Sequence, residues 1–317
     1  MKDNSKPLVS IRCLVYNHEP YLRQCLDGFV MQKTDFAFEA IVHDDASTDN
    51  SAAIIREYAE KYPDIIKPIY ETENQYSKKD GSLSRIMNEA VHPAAKYIAF
   101  CEGDDYWTNP LKLQKQVDYM EAHPECSLTY HACKNKFESP NLQGLYGETV
   151  KESYTSVTLL DDYFHTATIV MRKNIFDSDL YKKALATKCL SGDTMISLTA
   201  SRLGTLHGFN EKWSVYRRHT NGISSSMEDK EKIYSNYKSW VAVSGLFGKG
   251  VKKKIERNRL KIYIVRSFMY KDFRLLFKLI CYGLNHSPNS VVYAMIHIIK
   301  YCFRRIFSPV FFFAKQK

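Results

Sequence analysis

Apolar and polar positions follow two different patterns along residues 8–132. Apolar runs of strand length cover residues 8–15, 38–43, 65–70, 97–101 and 127–132. Between these runs, apolar side chains recur at helical spacing, as Leu22, Cys25, Leu26 and Phe29 do after the first run. This alternation predicts an α/β fold: a mostly parallel, Rossmann-like sheet with right-handed crossovers and helices on both faces.

Carboxylates follow two of the predicted strands directly. Asp44-Asp45 comes after the second strand, and Glu102-Gly103-Asp104-Asp105 comes after the fourth. Because the carboxyl ends of parallel strands lie at one edge of a sheet, both groups should line the same cleft, where open α/β sheets bind ligands. The alternative for each group is that its acids cap the helix that follows.

A divalent cation would relieve the repulsion among Glu102, Asp104 and Asp105. Mg²⁺ and Mn²⁺ prefer oxygen ligands, commonly one or two carboxylates together with substrate phosphates. Two other phosphate-binding signatures are missing from the sequence. No G-x-G-x-x-G follows the first strand, which argues against a dinucleotide-binding domain, and there is no P-loop lysine motif.

The pattern weakens after about residue 135. A further strand is predicted over residues 165–171, and helices are predicted over 174–183 and 194–203. Asp193 stands just before the second of these helices, and a strand-like run leads to Tyr216-Arg217-Arg218-His219.

Cysteine usage and the chain ends predict a cytoplasmic protein. The eight cysteines form no C-x-x-C pair, and several lie in apolar runs, as expected of buried, reduced thiols. The polar stretch Met1–Pro7 carries no signal-peptide pattern, and no apolar stretch reaches the roughly 18 residues that a spanning helix needs.

Positive charge is concentrated in residues 249–317, hereafter the tail. The tail holds 16 Lys and Arg against two acids, a net charge of +14, whereas the other 248 residues carry −4. Bases mixed with aliphatic and aromatic residues favour amphipathic helices on an anionic membrane surface. Packing against the rest of the protein is the alternative. Nucleic acid is not an expected partner, since no recognised nucleic-acid motif accompanies the bases.

Five ordered motifs resemble those of the family 2 glycosyltransferases, which have the nucleotide-sugar-binding GT-A fold. The resemblance runs from about Val9 to His219 and rests on Val15-Tyr16-Asn17, Asp44-Asp45-x-Ser47-Thr48-Asp49, Glu102-Gly103-Asp104-Asp105-x-Trp107, Gly192-Asp193 and Tyr216-Arg217-x-His219. It implies a GT-A catalytic domain over 1–225, with a nucleotide-sugar half at 8–132 and an acceptor half at 133–225. Residues 226–317 would form a basic, α-helical, membrane-associating extension.

The resemblance also implies a role for each matching residue. Asp44 and Asp45 correspond to the acids that recognise uracil, Glu102 to the ribose contact, and Asp104 to the ligand of a Mn²⁺ or Mg²⁺ ion. Glu102 departs from the family pattern, in which Asp is commoner. Asp193 falls at the catalytic base and His219 at a late contact with metal or diphosphate. The remaining donor-pocket candidates are Tyr16, Asn17, Glu19, Arg85 and Gly103.

Acceptor contacts are expected from residues beside this cleft: Asp105, Trp107, His165 and Thr166. For Trp107, packing beneath the site is an equal alternative to stacking on an acceptor sugar. For His165, the alternative is a buried polar group at a strand end.

These residues together predict an inverting, metal-dependent glycosyltransferase that uses a UDP-sugar. The expected acceptor is a saccharide, lipid-linked, in cell-surface polysaccharide synthesis at the inner face of the cytoplasmic membrane. Two alternatives are a sugar nucleotidyltransferase and a non-catalytic sugar-binding protein on a degenerate GT-A fold. Against the first, the loop Tyr16-Asn17-His18-Glu19 lacks the glycines and bases typical of nucleotidyltransferases; against the second, Asp104 and Asp193 are both present.

Overall fold

Strands and helices alternate through the first half of the chain, as the hydrophobic pattern predicts. The computed structural model describes residues 6–138, 147–162, 164–187, 192–219, 240 and 242–313, with the backbone alone for 303–313. The first elements are β1 (Val9–Val15), α1 (Glu19–Val30), β2 (Phe38–Asp44), α2 (Ser51–Lys61), β3 (Ile66–Tyr70), α3 (Gln75–Lys78), α4 (Ser82–Glu89) and β4 (Tyr97–Phe100).

The described residues between 106 and 218 add four strands and four helices of varied length. They are β5 (Tyr106–Trp107), α5 (Lys112–Ala122), β6 (Cys126–Phe137), β7 (Val170–Arg172), α6 (Asn174–Asp177), α7 (Asp179–Ala186), α8 (Gly192–Leu203) and β8 (Thr205–Arg218). The eight strands form one sheet in the order β3-β2-β1-β4-β7-β6-β8-β5.

The first four strands of that order are parallel, and the rest of the sheet is mixed. β1 pairs in parallel with β2 and β4, and β2 pairs in parallel with β3. β7 then runs antiparallel to both β4 and β6, and β8 lies parallel to β6 and antiparallel to β5. Among β1 to β4 the parallel pairs are joined by crossovers that contain helices, and β6 and β8 are parallel across a longer connection that contains β7 and α6 to α8.

Alternate residues of β1 face helices on opposite sides of the sheet. Ile11 and Cys13 are fully buried in the core that α1, α2 and α5 form with the sheet. On the other face, the Arg12 Nη1 donates to Asn88 Oδ1 on α4 at 2.9 Å, and the guanidinium lies 5.1 Å from the ring centroid of Phe176 on α6. The predicted α/β class with helices on both faces is confirmed.

Two local predictions were wrong in their details. The strand expected over residues 165–171 begins only at Val170, because Thr166–Thr168 forms a short 3-10 turn capped by His165. The two-residue strand β5 was not predicted, and its pairing with β8 depends on a partner more than a hundred residues away along the chain. Neither feature has a periodic sequence signal.

The chain divides into two compact units, one of residues 1–182 and 193–222 and the other of residues 183–192 and 223–317. The boundary predicted near residue 225 lies outside the described residues. The second unit contains three tail helices: the first at Lys249–Met269, the second at Phe273–His286 and the third at Pro288–Phe313. No helix in the described part of the chain is both long and apolar enough to cross a membrane.

Candidate active site

The parallel register brings four strand ends to one edge of the sheet. Val15 pairs with Asp44, Asp44 pairs with Tyr70, and Arg12 of β1 pairs with Phe100 at the end of β4. The loops that carry the predicted donor-site residues therefore leave the sheet side by side. This is the edge at which α/β proteins bind ligands.

Asn17 and Glu19 join the loop after β1 to the loop after β2. The Asn17 Oδ1 accepts from the Thr48 amide at 2.8 Å, and the Ser47 Oγ accepts from the Asn17 amide at 2.9 Å. The Glu19 carboxylate accepts from the backbone and side-chain nitrogens of Asn50 at 3.0 and 2.7 Å. These two side chains hold the loops together, and Tyr16, the third predicted donor contact in this loop, has an exposed ring.

Asp44 and Asp45 are both buried but have different partners. The Asp45 Oδ1 accepts from the Gln75 amide at 2.6 Å, and its Oδ2 accepts from the Tyr76 amide at 3.0 Å. Asp45 therefore anchors the start of α3. The Asp44 Oδ1 is buried without a hydrogen-bond partner among the described residues. Since leaving a buried carboxylate oxygen unsatisfied costs about 1–3 kcal/mol, Asp44 is the better candidate for a ligand contact.

Tyr76 is a candidate that the sequence motifs did not indicate. Asp45 holds its backbone, while its ring is half exposed beside the cleft. Burial raises the pKa of the Tyr76 phenol, and the neighbouring charge of Glu102 raises it further. An aromatic side chain thus lies between the two acid groups. In the sequence, the only signal for Tyr76 as a site residue was its position after the third strand. The helix that carries it has four residues and is too short to show an amphipathic pattern.

Asp104 lies between two histidines from distant parts of the chain. Its Oδ2 is 3.0 Å from His219 Nε2 and 3.9 Å from His18 Nε2. Burial acts to raise the pKa of Asp104, but the hydrogen bond with His219 and the charges of both imidazoles outweigh it and lower the pKa. His18, whose Nδ1 is buried and has no partner within the described chain, was not predicted.

Gly103 allows the acidic loop to approach His18. A Cβ atom at this position would lie 2.7 Å from His18 Nδ1 and 2.9 Å from Val15 Cγ2. Such distances are too short for nonbonded atoms, so a side chain here would displace the loop. The loop therefore requires glycine at position 103 for this close packing.

The donor atoms of Asp104 and His219 fit a six-coordinate divalent cation. Adjacent ligands of an octahedral ion at about 2.1 Å lie about 3.0 Å from one another, which is the separation of these two atoms. Within the described residues, no group of three or more His, Cys, Asp or Glu side chains is arranged to hold a metal. A cation here would therefore need further oxygens from a diphosphate or water, as Mg²⁺ commonly does.

Glu102 and Asp193 face the same cleft as Asp104. Burial raises the pKa of Glu102 to about 8, and the charges of Asp104 and Asp193 contribute to this shift. Asp193 lies in the first turn of α8, where its Oδ1 accepts from the Thr194 amide at 2.7 Å. The structure thus brings together three carboxylates that are up to 91 positions apart in the sequence.

Asp105 and Arg217 hold the loop of residues 102–105 in place. The buried Asp105 Oδ1 accepts from the Arg217 amide at 2.8 Å, and burial followed by the charge of Asp104 raises the Asp105 pKa well above its usual range. The Arg217 side chain donates to the Asp104 carbonyl at 3.1 Å and to Gln24 Oε1 at 2.6 Å. Its guanidinium is 4.7 Å from the Tyr21 ring centroid and 5.0 Å from that of Tyr106. No positioning role for Arg217 was predicted.

The acceptor-side candidates differ in accessibility. Trp107 is a core residue whose Nε1 donates to the Ala167 carbonyl at 2.8 Å, so packing is the alternative that the structure supports for it. His165 is buried with its ring stacked 3.9 Å from that of Tyr216, and burial lowers its pKa to about 4. Thr166 is partly exposed on the adjoining turn.

Arg85 stands apart from this group. It is exposed on α4, and the charged neighbour that it influences is Asp80. The described contacts therefore do not join it to the acid-lined edge.

The sequence matches the model of the family described as glycosyl transferase family 2 over residues 10–181. This chain belongs to that family. A related but uncharacterised protein of Mycobacterium tuberculosis is 33% identical over 229 residues, an alignment that covers 71% of this chain and 63% of the relative. This chain thus matches less than two thirds of that relative's length.

Solved structures of glycosyltransferases share the fold at low sequence identity. S. aureus TarS in complex with UDP-GlcNAc superposes with a TM-score of 0.63 at 16% identity, covering 89% of this chain and 82% of that one. The mannosyltransferase PcManGT of Pyrobaculum calidifontis, in complex with GDP-Man and Mn²⁺, superposes with a TM-score of 0.50 at 15% identity, covering 96% and 88%. The expectation of a GT-A fold followed by C-terminal helices is confirmed.

Proposed function

We propose that this family 2 member is a metal-dependent, inverting glycosyltransferase that uses a UDP-sugar. The observation that carries the proposal is the convergence of Glu102, Asp104 and Asp193 beside the unsatisfied Asp44 carboxylate oxygen. Acids at these positions match the needs of base recognition, diphosphate binding and proton removal. The UDP-GlcNAc bound to TarS supports the class of donor.

Asp44 is proposed to accept a hydrogen bond from the N3–H of uracil, which would satisfy its buried Oδ1. Glu102 is proposed to contact the ribose, with Tyr76 beside it at the rim of the cleft. Asp45 supports these contacts indirectly because both of its carboxylate oxygens hold the start of α3. Tyr16 would lie at the exposed end of the donor pocket.

Asp104 and His219 would hold a Mn²⁺ or Mg²⁺ ion together with the donor diphosphate. The ion would offset negative charge on the leaving group, which is the usual contribution of a metal to phosphate departure. The Mn²⁺ bound to PcManGT supports metal use within this fold. Arg217 and Gly103 serve this site by positioning the loop that carries Asp104.

Asp193 is proposed as the general base of a single displacement. The acceptor hydroxyl attacks the anomeric carbon, its proton passes to the Asp193 carboxylate, and the bond from that carbon to the diphosphate oxygen breaks. UDP is released with the electron pair of that bond. Attack from the face opposite the leaving group inverts the anomeric configuration.

The proposed acceptor is a saccharide linked to lipid, used in cell-surface polysaccharide synthesis. Thr166, which is partly exposed, and the buried His165 are the acceptor-side candidates that remain once Trp107 is assigned to the core and Asp105 to holding the Arg217 amide. A lipid-linked acceptor would place the enzyme at the cytoplasmic face of the membrane. The basic tail is the part of the chain proposed to hold it there.

Substitution Asp193→Asn tests the catalytic assignment. Loss of a general base should lower turnover by about 10²–10⁴-fold, while the affinity for the UDP-sugar stays near wild type. UDP release with a panel of acceptors measures turnover, and NMR of the product reads the anomeric configuration. A large loss of donor binding with little loss of turnover would make Asp193 a binding or capping residue. A retained configuration would exclude the single displacement.

A further inference from the structure

The second tail helix carries an exposed apolar stripe. Phe273 is 63% exposed, Phe277 69% and Leu284 55%. Their spacing of four and seven residues puts them on one face of an α-helix. Large apolar side chains at such exposure are uncommon on a free surface when they are contiguous, and they mark sites of association.

Basic residues line one border of this stripe. Arg274 and Lys278 each follow a stripe phenylalanine by one position and are exposed. One position is a rotation of about 100° around the helix, so both bases lie along the same side of the apolar stripe. Their long aliphatic stems allow the charged groups to reach toward headgroups while the phenyl rings enter the apolar layer.

The third tail helix repeats this arrangement. Val292, Ile296 and Ile299 are exposed at helical spacing, with Val292 at 57% and Ile299 at 54%. Lys300 follows Ile299 on the border of this second stripe and is also exposed. Two helices thus present the same order of apolar and basic side chains.

The opposite faces of these helices are already used by the core of the tail. Leu279 on the second helix and Ala294 on the third are fully buried with Leu260 and Ile264 of the first. At Gly283 the helices are so close that a Cβ atom would lie 2.5 Å from Val291 Cγ2. The packed faces fix the rotation of each helix, so the two exposed stripes belong to the outer surface of the bundle.

We propose that the outer face of the second and third tail helices, formed by these two stripes and their bordering bases, docks on an anionic lipid membrane. The helices would lie in the interface and not cross it, since no described helix is suited to span a bilayer. An anionic membrane suits both parts of this surface. Its acyl region can bury the apolar side chains, and its headgroups attract the bases of a tail with a net charge of +14. A second copy of the chain would place bases against bases.

The proposal of this docking face rests on the membrane role proposed above for the tail. Sugar transfer to a soluble acceptor does not depend on the docking face. Flotation of the full-length protein with vesicles tests it. The vesicles contain phosphatidylcholine alone or an equal mixture with phosphatidylglycerol. The wild type is expected to float with the anionic mixture, to be released in part by high salt, and to bind neutral vesicles weakly.

Two double variants separate the apolar and the charged contributions. Phe273→Ser/Phe277→Ser should weaken binding by about 10²-fold or more, because two phenyl rings no longer leave water. Arg274→Gln/Lys278→Gln should weaken it by about fivefold per base and reduce its dependence on salt. Circular dichroism should show unchanged helix content in both, since all four side chains are exposed.

Matched controls alter similar residues elsewhere. Lys253→Gln/Arg257→Gln removes two exposed bases from the first tail helix, and Leu111→Ser/Leu203→Ser removes two exposed apolar side chains from the other unit. Both should leave flotation within about twofold of wild type, because neither pair belongs to the two stripes or to the bases that border them. Equal losses in control and stripe variants would show that total charge or hydrophobicity, not this face, controls binding.

Phe277→Trp supplies a direct readout. Its added emission should shift to shorter wavelength when anionic vesicles are added, while that of Leu203→Trp should not. Flotation unchanged in both stripe variants would overturn the proposal. The proposal would also be overturned if size-exclusion chromatography showed that Phe273 and Phe277 hold two copies of the chain together while the variant that lacks both rings still floats with anionic vesicles. UDP release with a soluble acceptor should be normal in every variant, so a failure of docking is distinct from a failure of the proposed catalysis.

Discussion

Asp44-Asp45 and Asp104-Asp105 are two acidic pairs at one edge of the sheet, and each divides its roles in the same order. The second acid of each pair is buried and holds backbone: Asp45 accepts from two amides of α3, and Asp105 accepts from the Arg217 amide. The first acid faces the cleft. In each pair, therefore, one carboxylate holds backbone and the other is left for a different partner, so the two acids are not equivalent.

The two pairs differ in how far their support reaches along the chain. Asp45 binds amides 30 and 31 positions away, on the element that follows the next strand. Asp105 and its loop depend on Arg217, which lies 112 positions from Asp105 and bonds Gln24 across 193 positions. The first pair is thus supported by a nearby segment, while the loop of the second pair is held by residues from both ends of the compact unit of residues 1–182 and 193–222.

The largest effect is expected at Asp104, where the two pairs differ in function. Asp104→Asn should lower transfer by at least about 10³-fold, because it would remove the charged ligand proposed for the metal, a contribution of several kcal/mol. The thermal midpoint should stay near wild type, and chelation of the wild type should reproduce the loss, with rescue by Mn²⁺ or Mg²⁺. Full activity of this variant in chelator would remove the metal from the proposal.

The next effect tests the long-range support. Arg217→Met should lower the free energy of unfolding by about 2–4 kcal/mol, since hydrogen bonds to Asp104 and Gln24 and two aromatic contacts are lost in a buried site. Arg217→Lys should recover less than half, because lysine lacks the planar fork. Urea unfolding measures both.

The exposed Arg23–Glu57 pair provides the matched control for Arg217. Arg23 Nη2 lies 2.6 Å from Glu57 Oε2 at the surface. Arg23→Met should cost only about 0–1 kcal/mol, as exposed ion pairs do. Equal destabilisation at the two arginines would contradict the distinction between local and long-range support.

A smaller effect separates Asp44 from Asp45. Asp44→Asn should weaken UDP binding by about tenfold or more through loss of a charged acceptor, with little change in stability. Asp45→Asn should lower stability by about 1 kcal/mol, because it weakens a cap at the start of α3. Calorimetric titration with UDP and thermal unfolding give the two values. The reverse pattern would show that the roles within this pair are exchanged.

The smallest effect at neutral pH is expected at Lys112, a fully buried base behind the acidic loop. Its Nζ donates to Gln116 Oε1 at 2.8 Å and lies 4.1 Å from the Trp107 ring centroid. Burial lowers the pKa of Lys112 to about 7, below its value in the unfolded chain. Between about pH 7 and 10.4 the unfolded state binds more protons, so stability should rise with pH by up to about 1.4 kcal/mol per unit.

Lys112→Met isolates this contribution. The variant should lack the rise in stability above pH 7 that the wild type shows in urea unfolding, and its stability near neutral pH should equal or exceed that of the wild type. Parallel pH profiles for the two proteins would mean that Lys112 keeps an ordinary pKa in the folded state.

Much of the fold of residues 8–132 could be predicted because the sequence patterns that indicate it are short-range. The spacing of apolar residues located β1 to β4 and their helices, and the order of parallel strands explained why Asp44 and Asp104 share an edge. The Gly192-Asp193 motif indicated Asp193 as a candidate site residue, although only the folded chain brings it near Glu102. By contrast, His18 lies in a loop and Tyr76 on a four-residue helix, and the spatial neighbours of neither can be inferred from periodicity.

Sequence by itself determined the family, the alternating fold of the first half, and the identity of the acids at the strand ends. Tertiary structure decided which acid of each pair holds backbone. It also buried Trp107 and placed Arg217 where its side chain donates a hydrogen bond to the Asp104 carbonyl. The physical reason is that hydrophobic periodicity and turn chemistry act over a few residues. The partner of a buried polar group is chosen by proximity in the folded chain, here across up to 193 positions.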